Sequence, residues 1–359
     1  MAELGAALRS AWSAFPEDRF VELATSGLEE LEMKDRVSNV AKALLATMPD
    51  DFDRAAAVVR SGIGSTGLEG WIVFPVNDWV ARAGMDSPGT ALALLGELTS
   101  LWSAEFAVRP FIEKHPRTTF EQFDRWIESP DEHRRRLVSE GSRPRLPWGR
   151  QLRGLFADPK PTIALLDRLV DDSSAYVRKS VANHLNDISK DHPELAVDTA
   201  ARWLEEAARP QVADHSADAG RRKWIASHGL RSLVKAGDPA ALRLLGFDPD
   251  ARVSLTGFMV APRGIAVGEP VTIAFALTAD EPTPVMVDYR VHHAGAVSTR
   301  SPKVFKLKRT VLEPGVETGF RREHRIREVS VRRIHPGPHL IELQVNGKIL
   351  AAATVDVTG

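Results

Sequence analysis

The hydrophobic period of the chain changes once, at about Asp250, and that change constrains the fold more than any other feature. Up to it, apolar residues recur at helical spacing; beyond it, they alternate. PTIALLDRLVDD (Pro161–Asp172) sets Ile163, Leu165, Leu166, Leu169 and Val170 on one face. SSAYVRKSVANHLNDISKD follows, opening on a serine N-cap and carrying Val177, Val181, Leu185 and Ile188 at helical spacing. HPELAVDTAARWLEEA starts a third helix with Pro193 in its first turn. Beyond Asp250 come VTIAFALTA, VMVDYRVHH, KVFKLKRTVL, GFRREHRIRE and HLIELQVNGKILAAATVDV. The last contains QVNGKI, an Asn-Gly pair between alternating runs, which predicts a tight hairpin.

A helix, a short turn and another helix, repeated, is the pattern of an α-solenoid. An Asp-rich turn followed by YVRKSVANHL has the form of the second helix of a HEAT repeat, with weaker echoes in EFAVRPFIEKHP, EHRRRLVSEG and RRKWIASHGLRSLVKAGDP. Short strands in close succession predict an immunoglobulin-like sandwich. The expected fold is therefore multidomain α + β. Residues 1–247 form an all-α solenoid of HEAT-like repeats with a concave face, residues 250–359 an Ig-like β-sandwich, and GFDPDARVS links them.

The absence of cysteine excludes disulfides, thiolate metal sites and a cysteine nucleophile. No apolar run reaches the roughly 18–20 residues that span a bilayer. The first twenty residues lack a basic stretch followed by an apolar one, so no secretory signal is expected and the protein is read as cytoplasmic. A net charge of −1 hides an asymmetry: residues 1–249 carry 32 Lys and Arg against 37 Asp and Glu, residues 250–359 carry 15 against 11. Most of the excess lies between Arg300 and Arg333. There Arg300, Lys303, Lys306, Lys308, Arg309, Arg321, Arg322, Arg325, Arg327, Arg332 and Arg333 face only four acidic residues. Such a patch fits a polyanion partner or a solvated strand face.

Within the helical part, SEGSRPRLPWGR (Ser139–Arg150) stands out. Pro144 and Pro147 exclude a helix interior, and a tryptophan is left in a loop, where binding groups concentrate. On the Ala175–Lys190 helix, Tyr176, Ser180, Asn183 and Asp187 form one stripe, read either as a surface presented to a ligand or as an ordinary polar face. Glu105 sits amid apolar residues, with Arg109 four positions on as a routine helical partner; Glu140 reads as a helix-end residue beside an arginine. SGIGSTG (Ser61–Gly67) lacks the lysine of a phosphate cradle and is read as a loop. No HExxH, P-loop or GxSxG motif occurs, and His115 and His192 mark helix ends.

Taken together, SAEFAVRPFIEKHP, RRLVSEGSRPRLPW and YVRKSVANHLNDISKDHPELA resemble the AlkC branch of the HEAT-like-repeat DNA glycosylases, bacterial enzymes of alkylation repair. GLEGWIVFPVNDWV (Gly67–Val80) is similar to a further family segment, and the resemblance covers residues 1–245. The larger members carry a C-terminal Ig-like domain. The resemblance implies a monomeric base-excision enzyme that needs neither cofactor nor metal and associates with the nucleoid when bound to DNA. It would hydrolyse the N-glycosidic bond of cationic N-alkylated bases in duplex DNA, 3-methyladenine foremost and 3-methylcytosine next, without full base flipping. By motif match, Glu105, Glu140, Trp148 and Asp187 take the catalytic roles.

Those residue types suit the chemistry. N3-alkylation already makes the base a good leaving group, and an oxocarbenium-like sugar needs nearby carboxylates and an electron-rich ring. Asp187 is expected to align the water, with Glu105 and Glu140 completing an anionic pocket. A monofunctional enzyme, without Schiff-base strand cleavage, is expected. Arg143, Arg145, Arg150, Arg178 and Lys179, with Tyr176 and Asn183, are the expected DNA contacts, and Lys303, Lys306, Lys308, Arg309, Arg321 and Arg322 of the β-part would clamp the duplex. The alternatives are a non-catalytic HEAT-repeat scaffold and a damage-binding protein.

Overall fold

The computed structural model describes residues 1–208, 216–295, 302–328 and 333–359, without the side chains of 216–219. Arg300 and Arg332 of the basic patch lie outside the described residues. The chain forms two compact units, Met1–Gly229 and Leu230–Gly359.

The first unit contains α1 (Ala2–Ala11), α2 (Glu17–Thr25), α3 (Met33–Thr47), α4 (Phe52–Thr66), α5 (Phe74–Ala83) and α6 (Pro88–Leu98). Then come α7 (Arg109–Lys114), α8 (Pro116–Ile127), α9 (Glu132–Gly141), α10 (Arg153–Ala157) and α11 (Lys160–Leu169). Three longer helices close it: α12 (Ala175–Ile188), α13 (Pro193–Ala207) and α14 (Ser216–Gly229). The apolar faces expected of α11 and α12 are buried, and Ser174 caps α12 by accepting from Tyr176 N at 3.2 Å. Helices α11 and α12 both pack on α9, and α14 packs on α12 and α13. Arginines from the neighbouring helices hold the Asp-rich turn between α11 and α12. Arg135 of α9 grips Asp172 at 2.7 and 3.0 Å, and Arg222 of α14 donates to Asp171 at 2.7 Å.

SGIGSTG is not a loop. Ser61–Thr66 continue α4, because Gly62 has no side chain to obstruct α1: a Cβ there would sit 2.8 Å from the Ala7 carbonyl oxygen. Gly67, at φ 66, then ends the helix in the left-handed region that favours glycine.

The second unit opens with α15 (Arg231–Ala236) and α16 (Pro239–Leu244), followed by β1 (Val253–Ala261), β2 (Gly264–Ala266), β3 (Pro270–Ala279) and β4 (Thr283–His292). Strands β5 (Lys303–Leu312), β6 (Thr318–Arg325), β7 (Gly337–Val345) and β8 (Lys348–Thr358) complete it. They form sheets of order β1-β3-β6 and β2-β8-β7-β4-β5 over one apolar core. The Asn-Gly hairpin is present between β7 and β8, with both turn residues at positive φ, Asn346 at 43° and Gly347 at 84°.

This turn also moves the expected boundary. Residues 230–247, expected in the solenoid, pack against the β-sandwich. Gly237 and Gly347 approach so closely that a Cβ on either would meet the other's carbonyl oxygen at 2.8 Å. Asn346 Nδ2 donates to Asp248 O at 2.9 Å, and Arg309 lies over the Phe247 ring. Gly347→Ala therefore combines a strained φ with a backbone clash, and should destabilise the second unit by about 2 kcal/mol, read as a lower unfolding midpoint.

Candidate active site

The loop after α9 is organised by one buried arginine. Arg109, the first residue of α7, has no solvent exposure. Its Nε donates to Arg150 O at 2.7 Å, and its Nη1 donates to the carbonyls of Gly141 and Arg143, both at 2.8 Å. The helical Glu105–Arg109 pair expected from the sequence does not form, because Glu105 lies on a turn before the helix and Arg109 turns into the loop. Burial and the nearby Arg143 charge lower the Arg109 guanidinium to about 10, so it remains charged at neutral pH. Leu146 and Leu152 are buried beneath the loop.

What this scaffold presents is Trp148, 73% exposed and at φ 62, a conformation that bulky side chains rarely adopt. The ammonium of Lys34, from the first turn of α3, donates to the Trp148 carbonyl and lies 5.9 Å from the Phe106 ring centroid.

Behind Trp148 runs a chain of alternating charges. Glu105 receives Arg136 Nη1 at 2.7 Å and Ser103 Oγ at 2.9 Å. Arg136 Nη2 lies 3.6 Å from Glu140, which accepts from Arg143 Nη1 and from Ser180 Oγ, both at 2.6 Å. Arg143 Nε donates to Asp187 at 2.8 Å, and Lys190 reaches the other Asp187 oxygen at 3.1 Å. The three carboxylates expected to converge do so, each with a cation between it and the next. Burial alone would raise the Glu140 carboxyl, but Arg136, Arg143 and the Ser180 hydroxyl outweigh it and hold it below its ordinary range.

Three expectations are corrected here. The polar stripe of α12 is not an open surface: Ser180 and Asp187 are buried against the end of α9, because their partners Glu140 and Arg143 lie there. Arg143 is not placed as a phosphate contact, since both its neighbours are buried carboxylates. Asp187 lies one side chain behind the cleft wall. Between the same helices His184 is fully buried, its Nδ1 donating to Ser139 O at 2.9 Å; burial, then the Arg143 charge, lower it to about 3, so the ring is neutral.

Glu105, Glu140 and Arg143 open onto a cleft of about 360 Å³ that also touches Trp148 and Lys34. Its remaining aromatic walls are Trp71, Phe74, Trp102 and Phe106, with Trp71 and Trp102 centroids 4.6 Å apart and Phe74 stacked on Phe106 at 5.6 Å. None of these four received a role from the sequence. Trp71 and Phe74 lie in GLEGWIVFPVNDWV, where the uncommon clustering of aromatics was the available signal. Lys34 and Arg136 carried none.

The other expected contacts vary. Arg145 is bidentate to Asp191 and covers Phe156, and Arg150 pairs with Glu113. Arg178 donates to the Asp172 and Ser173 carbonyls, Lys179 is exposed, Asn183 meets His228, and half-exposed Tyr176 lies 4.7 Å from the Arg136 guanidinium. Lys303, Lys306, Lys308 and Arg309 are exposed on β5 and Arg321 and Arg322 on β6, each the edge strand of its sheet. Among the described residues no cluster of three His, Asp or Glu could hold a metal ion, and no helix is long and apolar enough to cross a membrane.

Residues 101–198 match the family described as "DNA alkylation repair enzyme", and residues 254–359 match "Uncharacterised protein YhaZ, C-terminal Ig-like domain". The pairing defines a helical DNA alkylation repair protein with an Ig-like domain. The structure superposes on the alkylpurine DNA glycosylase AlkC of Pseudomonas fluorescens, solved bound to DNA containing an abasic site analog. The TM-score is 0.89 at 35% identity, over 99% of this chain and 96% of that one. The chain is also 33% identical over 344 residues to the Bacillus subtilis "Uncharacterized protein YhaZ", 95% of this chain and 92% of that protein. It belongs to the AlkC family of DNA alkylation repair proteins and has the alkylpurine DNA glycosylase fold.

Arg109 sets the loop by a fork of donors that an ammonium cannot reproduce. Arg109→Lys should therefore leave buried carbonyls unpaired, lowering stability by about 3 kcal/mol and weakening whatever activity depends on Trp148, measured by melting and by DNA binding of the same variant.

Proposed function

We propose that this protein hydrolyses the N-glycosidic bond of cationic N-alkylated bases in duplex DNA, 3-methyladenine foremost, with 3-methylcytosine the second base to assay. The carrying observation is the meeting of Glu105, Glu140 and Asp187, from three separate segments, behind an aromatic-lined cleft capped by Trp148.

In the reaction, the bond between C1′ and the base nitrogen breaks, the base leaves with the electron pair as a neutral molecule, and a water oxygen bonds to C1′ while losing a proton. The sugar passes through an oxocarbenium-like state. Glu140 and Glu105 border the cleft and are assigned to that developing charge; the lowered Glu140 carboxyl is already ionised. Trp148 offers its ring face to the same cation, a contact worth about 0.5–2 kcal/mol. Asp187 is assigned the water, a role that requires the Arg143 guanidinium between it and the cleft to swing aside. Such fixed charge in a water-poor site is commonly the largest catalytic contribution.

Release of free base from methylated duplex should fall at least about 100-fold in both Asp187→Asn and Glu140→Gln, with DNA affinity largely retained. Unchanged release in both removes them from the mechanism, and no release by the wild-type chain favours a non-catalytic scaffold or damage-binding protein.

The reading is of a monofunctional enzyme, although a lysine reaches the cleft from α3. Lys34 Nζ donates to the Trp148 carbonyl, and this reading gives it no nucleophilic role. Borohydride reduction in the presence of abasic DNA should trap no covalent adduct. An adduct that disappears in Lys34→Ala would overturn this and assign strand-cleaving chemistry to that amine.

A further inference from the structure

Away from the cleft, one surface of the first unit combines an exposed, stiffened aromatic side chain with clustered cations. We propose that Trp224, with Arg178, Lys179 and Arg221, forms a second DNA subsite that takes the sugar–phosphate backbone beside the cleft; this rests on the reading of duplex DNA as the ligand. Trp224 lies on α14 and is 46% exposed. His228, one turn on, stacks against the indole with planes 8° apart and centroids at 5.0 Å. The His228 Nε2 lies 3.2 Å from Asn183 Oδ1, which ties the pair to α12. A large aromatic with two side-chain torsions, braced by a stacked ring and left in water, loses little entropy on binding.

The surroundings suit a polyanion. A depression of about 430 Å³ is lined by Trp224, by Arg178 and Lys179 of α12, and by Arg221 of α14, with the small residues Ala175 and Gly220 leaving it open to a bulky chain. Arg178 is docked on the carbonyls of Asp172 and Ser173, contacts that orient its charge without cancelling it. Cations alone would serve an acidic protein equally well. The ring is what DNA adds a use for, because every nucleotide offers an apolar sugar or base face beside its phosphate.

The position fits the chemistry as well. Lys179 precedes Ser180, which holds Glu140, and Asn183 lies one turn before Asp187 on the same helix. A strand held by Arg178 and Lys179 is therefore held on the helix that supplies the proposed water-aligning carboxylate, with Trp224 facing it from α14.

The test uses the full chain and an undamaged duplex oligonucleotide. Trp224→Ala should raise Kd about tenfold with an unchanged melting temperature, and Trp224→Phe, which keeps a stacking ring, should remain within about threefold of wild type. Lys179→Gln should reduce the slope of log K against log salt by about one. Wild-type affinity in Trp224→Ala overturns the subsite, as does a loss that phenylalanine fails to recover; an acidic protein that loses affinity in Lys179→Gln while DNA does not would reassign the surface. If the wild-type chain released no base while Trp224→Ala still lost DNA affinity, the subsite would stand and the glycosylase reading would fall.

Discussion

The Arg109 guanidinium, sealed inside the first unit with backbone carbonyls as acceptors, is the contact on which the cleft depends. A loop with two prolines and a tryptophan at positive φ has few backbone hydrogen bonds of its own. Gly149 N to Leu146 O at 3.0 Å and Leu152 N to Pro144 O at 3.3 Å are among them. Arg109 supplies the rest and joins the end of α9 to the segment before α10. Its donors converge on carbonyl oxygens rather than a carboxylate, so the fork geometry matters more than the charge. Elsewhere in the unit, Arg135 and Arg222 join neighbouring helices through Asp172 and Asp171. The same residue type thus links repeats in one place and shapes a loop in the other.

The charge chain behind Trp148 clarifies what the proposed chemistry would demand. Three carboxylates left uncompensated in a buried space would repel one another and the DNA backbone. Interleaved Arg136, Arg143 and Lys190 balance the three carboxylates one for one. A cationic sugar can gain from Glu140 only as Arg143 relaxes its hold, so the lesion must compete with that guanidinium for the carboxylate. A neutral nucleotide competes much less. Selectivity for cationic lesions would then come from the competition for each carboxylate, in addition to the weakness of the bond being broken.

Much of this was legible in the sequence where a repeating physical signal existed. The α11 and α12 faces, the serine cap, the alternating strands and the Asn346-Gly347 turn follow from period and turn chemistry. Glu105, Glu140, Asp187 and Trp148 came from motif resemblance, since no spacing rule brings three distant carboxylates together. Arg136, Lys34 and Ser180's partnership with Glu140 were invisible because they depend on which helix faces contact one another. SGIGSTG reads as a loop yet forms helix because glycine's meaning depends on its neighbour: beside Ala7 it permits close helix packing, and in isolation it looks like a turn. The shifted boundary has the same origin, since 230–247 is helical like the solenoid and only contacts such as the Gly237–Gly347 approach and Arg309 over Phe247 join it to the sandwich.

The basic residues of the second unit show why charge alone decides little. Lys303, Lys306, Lys308 and Arg309 occupy one sheet edge, Arg321 and Arg322 the other. Unpaired edges invite strand addition, and charged side chains there prevent it, so this placement needs no ligand to explain it. Two of the cations also act on a buried group: Asp288 is buried on β4, and its carboxyl is raised to about 6 by burial, against the opposing pull of Arg309 and Lys306. Among the described residues, no such internal duty around Trp224 accounts for the exposed ring. An aromatic platform among cations is therefore the stronger pointer to nucleic acid, although the sandwich carries more positive charge.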